Sequence, residues 1–339
     1  MRDEIFEEYS KEKEPAKYYK SYAWKTAIGL QQVDGLEPSE YLIKTAEQNI
    51  NGDISFDDAH ALISSYYKTS KSKADRTEEA DKVSVRIAQI ISENSFVFSP
   101  VELMTIHKRL FEGIYSHAGR IRDYNITKDE WVLDGDTVTY GNAFNLRETL
   151  EYDFGVEKNF NYNGLSTEQI ISHIARFISN LWQIHIFGEG NTRTTAVFLI
   201  KYLGKLGFNV TNDIFAENSW YFRNALVRAN YNNRAKGVFE TTKYLELFLR
   251  NLLLGEDNIL SNREMHVNYK EVKSSTEETV TREQIIVEIL EKQPKITLQE
   301  IADKIGKSLR TVKTSIKALQ ESGKIERVGG KKEGSWKVL

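Results

Sequence analysis

The residues best suited to chemistry stand together in one segment, QIHIFGEGNTRTTAVF, at positions 183–198. Between two apolar helical runs it places a base, a carboxylate and a cation, which are His185, Glu189 and Arg193. A histidine can accept a proton near neutral pH, and carboxylate oxygens are ligands that Mg²⁺ prefers. Judged by residue type alone, the segment would also fit an ordinary loop between two helices in which the histidine has a structural role. The concentration of polar groups in so few residues favours a reactive site.

The glycines of this segment indicate an anion site. Gly188, Gly190 and Asn191 allow tight and left-handed backbone geometry just before a helix that we expect to begin near Thr192. Free N–H groups at such a helix start attract an anion, and the helix dipole reinforces the attraction. Arg193, in the first turn, is disfavoured by the dipole unless an anion compensates its charge. An anion cradle, a metal-binding carboxylate and a base together predict phosphoryl-group chemistry on a nucleotide.

The segment HIFGEGNTR, residues 185–193, resembles the signature of Fic-domain proteins, HxFx[DE]GNxR, at every specified position. The resemblance extends over about 84–255. It implies an all-α Fic core, with ATP and Mg²⁺ as cofactors, that transfers AMP to a Ser, Thr or Tyr hydroxyl of a target protein or of itself. Use of another nucleotide, or removal of AMP, is also compatible with the motif.

The resemblance also implies a role for each residue of the site. His185 would deprotonate the attacking hydroxyl, Glu189 would hold Mg²⁺ on the phosphates, and Phe187 would be a buried apolar anchor under the loop. The nucleotide would be bound by Gly188, Gly190, Asn191, Thr192 and Arg193, and at the adenine by Phe222 and Asn230. The aromatic stripe that includes Phe222 fits a helical core equally well.

A second segment, WVLDGDTVTY at 131–140, alternates apolar and polar residues around Asp134-Gly135. This pattern predicts a β-hairpin. One hairpin is too small to form a sheet core, so we expect it to act at the surface. The Fic resemblance implies a flap that aligns the target peptide by strand pairing, with Leu133 and Val138 as docking residues.

Residues 1–70 are expected to form a regulatory module with three short helices over roughly 16–67. The segments GLEPSE and NINGDIS resemble the VbhA-type antitoxin module, whose inhibitory helix carries [ST]xxxE[GN]. The matching positions here are Leu30, Asp34 and Gly35, so the match is degenerate. The glutamate of that motif pairs with a second arginine, which Ala196 replaces in this chain. Autoinhibition would then be weakened, lost or rebuilt, and Asp34 equally fits a solvated helix end.

The 339 residues suggest two or three domains. We expect the Fic catalytic domain at 82–255, a linker at 256–280 and a small α/β winged helix-turn-helix at 281–339, where helix, turn, helix, third helix and two short strands follow one another. The last 59 residues hold 13 basic and 8 acidic side chains, a net charge of +5, against −3 for the whole chain. Candidate DNA contacts on the third helix are Arg310, Lys313 and Lys317. A winged helix can equally dock a protein or form a dimer.

The composition of the chain excludes several classes of protein. The chain has no cysteine, which excludes disulfides and thiolate metal sites. No stretch approaches eighteen apolar residues, and the charged N-terminus has no apolar region of a signal peptide. We therefore expect a cytoplasmic protein without a membrane partner, and the sequence leaves a homo-oligomer open. The competing function of another class is a DNA-binding regulator whose Fic body senses nucleotide.

Overall fold

The computed structural model describes residues 15–69, 76–269, 282–305, 307–329 and 334–339. The chain divides into two compact units, residues 1–270 and 271–339. Each unit has its own hydrophobic core. Within the described residues, no helix is long and apolar enough to cross a membrane.

The first unit is helical. Its helices are α1 Pro15–Gly29, α2 Glu40–Asn51, α3 Phe56–Thr69, α4 Thr77–Ser92, α5 Pro100–Phe111, α6 Leu146–Lys158, α7 Thr167–Ile184, α8 Asn191–Lys205, α9 Ile214–Ala229, α10 Lys243–Leu254 and α11 Asn262–Met265. Short 3-10 helices lie at Leu30–Asp34, Trp131–Leu133, Ala143–Asn145 and Arg234–Lys236. The three short helices expected near the N-terminus are confirmed as α1, α2 and α3.

Several helix starts follow from local sequence. Ser99 caps α5 by accepting a hydrogen bond from the Glu102 amide, and Pro100 takes the first helical position, where its missing N–H costs nothing. At α7, Ser166 and Gln169 form a capping box. These two caps fix the starts of helices on which the candidate site depends.

The N-terminal helices share one core with the rest of the first unit. The backbone of α1 packs so closely on α9 that a Cβ on Gly29 would lie 2.3 Å from the Ala216 carbonyl oxygen. The carboxylate of Asp81, fully buried on α4, accepts hydrogen bonds from the Ser39 amide and hydroxyl and from the Tyr67 hydroxyl. Residues 15–69 are therefore packed into the helical unit rather than separated from it.

Two sequence expectations need correction here. The predicted hairpin makes its turn, because Asp134 and Gly135 both take positive φ angles, of 59° and 81°. Its flanks form no strands, however: residues 131–133 make a 3-10 helix, and the Val267 amide donates to the Val132 carbonyl. Val267 belongs to the segment 256–280, which the sequence assigns to a linker. Its described part, residues 256–269, packs onto the helical unit.

The second unit has the order expected of a winged helix-turn-helix. Its elements are α12 Arg282–Lys292, α13 Leu298–Ile305, α14 Leu309–Glu321, β1 Ile325–Val328 and β2 Ser335–Val338. The strands are antiparallel, with Ile325 opposite Val338 and Arg327 opposite Trp336. Buried Ile286, Ile301 and Val312 join the three helices in one small core.

Candidate active site

The segment between α7 and α8 makes a loop whose first residue is unusual. His185 ends α7 in the left-handed region, at φ 50° and ψ 55°, which few residues other than glycine adopt. Arg122 stabilises this turn because its Nε donates to the His185 carbonyl at 2.7 Å and its Nη2 donates to the Gly141 carbonyl at 2.5 Å. Sequence reasoning missed Arg122, since nothing in its own segment distinguishes it from a surface arginine.

The His185 imidazole is buried and held on three sides. Its Nδ1 lies 3.2 Å from the Trp182 carbonyl oxygen, so Nδ1 carries the proton and Nε2 keeps a lone pair. The ring packs on Tyr140, with 4.3 Å between centroids, and meets the Trp182 ring edge-on. Burial, with the nearby charge of Lys128, holds the pKa of His185 well below its ordinary value. The side chain is therefore a neutral base at physiological pH.

Asn191 and Thr192 use their side chains to shape the loop. Asn191 Oδ1 accepts from the Phe187 amide at 3.1 Å, and Asn191 Nδ2 donates to the Phe187 carbonyl at 2.8 Å. Thr192 Oγ1 accepts from the Trp182 indole N–H at 3.0 Å. The side chains of Asn191 and Thr192 thus close the loop. The backbone N–H of Thr192, which the sequence assigns to the phosphates, stays available for an anion, whereas the Asn191 side chain is engaged within the loop.

The loop presents a row of unused amides. Helix α8 begins after Gly190, at φ 76°, with no side-chain cap. Among the described residues, no hydrogen-bond acceptor contacts the amides of residues 188–193. A Cβ on Gly190 would lie 2.4 Å from the Phe111 ring, so this position requires glycine for space as well as for φ. Unused amides at a helix start form a cradle that fits a phosphate.

His107, on α5, fixes the loop from below. Its ring stacks on Phe187 with 3.6 Å between centroids, and Phe187 is buried as expected for the anchor. The Gly119 amide donates to His107 Nδ1 at 2.8 Å, so Nε2 carries the proton and donates to the Glu189 carbonyl at 2.9 Å. Burial lowers the pKa of His107 to about 4. Nothing in the sequence around His107 indicates this contact.

Glu189 points outward and is paired with a lysine. Lys128 Nζ lies 3.0 Å and 3.2 Å from the two carboxylate oxygens. Within the described part of the chain, no group of three or more His, Cys, Asp or Glu residues could hold a metal. Mg²⁺ fits here if phosphate oxygens and water complete its coordination around Glu189, as is usual for this ion.

Arg193 lies at the centre of a buried polar cluster. Its Nε is 2.8 Å from Asp34 Oδ2, and its Nη2 donates to Glu79 Oε1 at 2.6 Å. Its Nη1 donates to Gln31 Oε1 at 3.0 Å, and the Tyr115 hydroxyl lies 3.2 Å from Nη2. Burial alone would lower the pKa of Arg193, but the neighbouring carboxylates raise it. The guanidinium is therefore fully charged and already paired with two anions.

The three degenerate inhibitory positions meet this cluster through Asp34. Asp34 contacts Arg193, which excludes its interpretation as a solvated helix end, whereas Leu30 is buried in the core. Gly35 ends the 3-10 helix at φ 66°. The partner of Asp34 is thus the first arginine of the loop, and Ala196, at the position of the absent second arginine, is fully buried.

Four predicted contacts lie away from the loop surface. Phe222 is fully buried against Phe215 and Phe248 and cannot reach a nucleotide without core rearrangement. Leu133 and Val138 are also buried, because the turn that carries them folds inward, so their side chains cannot dock a target. Asn230 Nδ2 donates to the Ser179 carbonyl at 3.0 Å and to the Leu226 carbonyl. The sequence pattern shows whether each of these side chains is apolar or polar, but it does not show whether the side chain points into the core or toward the site.

In the second unit, Lys313 and Lys317 are exposed on α14, the third helix of that unit. The side chain of Arg310 lies outside the residues whose placement is described. The exposed lysines fit contacts to phosphates more readily than to base edges.

Comparison with known proteins places these features in families. Residues 97–203 match the Fic/DOC family, and residues 281–326 match the winged helix-turn-helix DNA-binding family. A solved structure, a Fic family protein from Desulfovibrio desulfuricans G20, is similar at 13% identity and a TM-score of 0.47, covering 100% of this chain and 93% of that one. No curated protein matches the chain. The chain therefore carries a Fic/DOC family domain at residues 97–203, followed by a C-terminal winged helix-turn-helix.

Proposed function

We propose that the chain is a protein adenylyltransferase that transfers AMP from ATP to a side-chain hydroxyl of a target protein or of itself. The observation that carries the proposal is the neutral imidazole of His185 on the same loop as the free amides of residues 188–193. A base and an anion cradle on one short loop are what attack of a hydroxyl on a phosphate requires. Membership of the Fic/DOC family supports nucleotide transfer in general.

In the proposed reaction, the target hydroxyl gives its proton to His185 Nε2 as its oxygen bonds to the α-phosphorus. The bond between the α-phosphorus and the bridging oxygen breaks, and pyrophosphate leaves with the electron pair. The amides of residues 188–193 hold the negative phosphate oxygens. Glu189 is the residue that would hold Mg²⁺, which when bound neutralises phosphate charge. Lys128 would then have to leave the Glu189 carboxylate.

We further propose that Asp34 restrains the enzyme. Arg193 is the cation nearest the start of α8, and Asp34 and Glu79 already neutralise it. A phosphate that approaches the loop must compete with these carboxylates or meet their repulsion. Asp34 is a quarter exposed and sits in a 3-10 helix next to Gly35, so it can withdraw with less disruption than Glu79.

The reaction type is tested by incubating the full chain and candidate proteins with Mg²⁺ and ATP labelled on either the α- or the γ-phosphate. We expect label on protein from α-labelled ATP and none from γ-labelled ATP. Protein labelled from the γ-phosphate would mean phosphotransfer and would refute the proposal. Loss of AMP from a previously modified protein, without transfer, would indicate the reverse activity.

A second candidate function is regulation of DNA by the C-terminal unit. The match to a winged helix-turn-helix DNA-binding family and the exposed lysines of α14 favour it. This function is compatible with AMP transfer by the first unit, and duplex-binding measurements on the whole molecule test it separately.

A further inference from the structure

The His117 imidazole and the Tyr124 hydroxyl meet at Gly188, where the row of free amides begins. A Cβ built on Gly188 would lie 2.6 Å from the Tyr124 hydroxyl oxygen and 3.2 Å from His117 Nε2. Within the described residues, His117 Nε2 is buried without a hydrogen-bond partner. Tyr124 is 53% exposed, so its hydroxyl is open to solvent or to a ligand. A buried polar atom that lacks a partner costs free energy unless a ligand or water satisfies it.

The His117 ring is held in place by packing. It stacks almost parallel on Tyr115, at 6° and 5.3 Å between centroids. Tyr115 is in turn fixed, because its hydroxyl donates to Glu79 at 2.7 Å and contacts Arg193. His117 is therefore preorganised, and Nε2 stays directed at Gly188.

The site needs additional hydrogen-bond donors for a nucleotide. The pyrophosphate part of ATP carries most of its negative charge, yet Arg193 is already paired with Asp34 and Glu79, and Lys128 with Glu189. An imidazole N–H and a phenol O–H are suitable donors to phosphate oxygens.

The two histidines of the site stand among different neighbours. His185 packs against Tyr140 and Trp182, whereas His117 packs against Tyr115, which contacts Arg193. In phosphoryl transfer the attacking and leaving oxygens lie roughly in line on opposite sides of the phosphorus. His185 is assigned to the attacking hydroxyl, which leaves His117, beside Gly188, for the phosphate groups.

We propose that His117 and Tyr124 form a donor pair over Gly188 that binds the leaving pyrophosphate of the nucleotide. The inference rests on the proposed AMP transfer and adds a subsite that distinguishes ATP and ADP from AMP. The lack of a side chain on Gly188 is part of the subsite, since a Cβ would fill the space between the two donors.

The test is nucleotide affinity by calorimetry, on the full chain, with ATP, ADP, AMP and inorganic pyrophosphate as separate ligands. His117→Phe keeps a ring for stacking and removes both nitrogens, and Tyr124→Phe removes only the hydroxyl. The matched control is Tyr152→Phe, which removes a hydroxyl from an exposed side chain on α6. Thermal unfolding of each variant confirms that it is folded.

We expect each variant to bind ATP, ADP and pyrophosphate about tenfold more weakly, the effect of losing a hydrogen bond to a charged group. The affinity of each variant for AMP should equal that of the unmutated chain, and Tyr152→Phe should bind all four ligands as the unmutated chain does. Equal weakening for AMP, or unchanged affinities in folded variants of a chain that still transfers AMP, would overturn the donor pair and leave the proposed function intact. Failure of both the unmutated chain and its Asp34→Ala variant to bind any of the four ligands would overturn the donor pair and the proposed function together.

Discussion

At the residue scale, the site depends on two buried histidines with different tasks. His185 leaves Nε2 free because its Nδ1 is committed to the Trp182 carbonyl, while His107 uses both nitrogens to hold the loop. Both are kept neutral by burial. In His185 the fold engages one ring nitrogen, which suits the base that we propose, and in His107 it engages both, which suits a structural support.

The neutral histidines make stability depend on pH. The pKa of His107 is about 4 in the folded chain, against an ordinary value of 6.5, so between these values the unfolded chain binds more protons. The unfolding free energy should be highest above pH 6.5 and fall as the pH drops toward 4, with His107 contributing about 1.4 kcal/mol per pH unit. Urea unfolding of the unmutated chain and of His107→Gln, measured across this pH range, gives the unfolding free energy of each. If the unfolding free energy depends on pH equally in both proteins, His107 is not the group responsible.

Removal of Asp34 should release the enzyme. Asp34→Ala leaves Arg193 with Glu79 as its remaining anion, which frees positive charge for phosphate without leaving the buried guanidinium unpaired. We expect AMP transfer to rise at least about fivefold, roughly 1 kcal/mol of relieved competition. Asp53→Ala, which removes an exposed carboxylate from the same N-terminal region, is the control. A rate that does not rise would remove Asp34 as the restraint.

At the element scale, the contact between α1 and α9 couples the N-terminal helices to the body. A Cβ on Gly29 would meet the Ala216 backbone, which cannot move away as a side chain can. Gly29→Ala should therefore destabilise the chain by about 1–3 kcal/mol through overpacking. Gly155→Ala, in α6 with nothing within 4 Å of its Cβ, should instead stabilise by up to about 1 kcal/mol. Chemical denaturation of both variants measures the difference, and similar shifts would contradict the close packing.

The sequence predicts the elements better than it predicts the directions of their side chains. The break between α7 and α8, and a helix start near Thr192, follow from glycines and caps that act locally. Burial of Phe222 and the inward turn of Leu133 depend on contacts with distant helices, which a period of apolar residues cannot reveal. The flanks of Asp134-Gly135 make no strand ladder because the turn instead bonds to residues near 231 and 267.

The same limit explains the cluster around Arg193. Asp34 is 159 positions away in the chain, and Glu79 and Tyr115 come from two further segments. The Fic resemblance implies that Asp34 stands at an inhibitory position. It also implies that the partner of this position is a second arginine, which is absent from this chain. Only the fold shows that the carboxylate reaches Arg193 instead. Glu79 and His117 carry no local signal and could not have been found from spacing.

At the scale of the whole molecule, two units with separate cores can carry separate functions. If the second unit binds DNA, Lys313→Glu should weaken binding to a random duplex at low salt, and the difference should shrink as salt rises. Lys292→Glu makes the same charge change on α12 and should have less effect. Fluorescence anisotropy at several salt concentrations makes the comparison. Equal weakening by both would indicate attraction by net charge without a docked helix.

We propose His185 as the base for AMP transfer. The most direct measurement compares the full chain with its His185→Ala variant, each incubated with Mg²⁺ and ATP and analysed by intact mass for the addition of AMP to protein. The same comparison is made in the Asp34→Ala background, so that inhibition by Asp34 is not mistaken for a lack of activity. We expect AMP on protein when His185 is present and a loss of at least about a hundredfold in rate when it is removed. Transfer that persists undiminished without His185 would contradict the account.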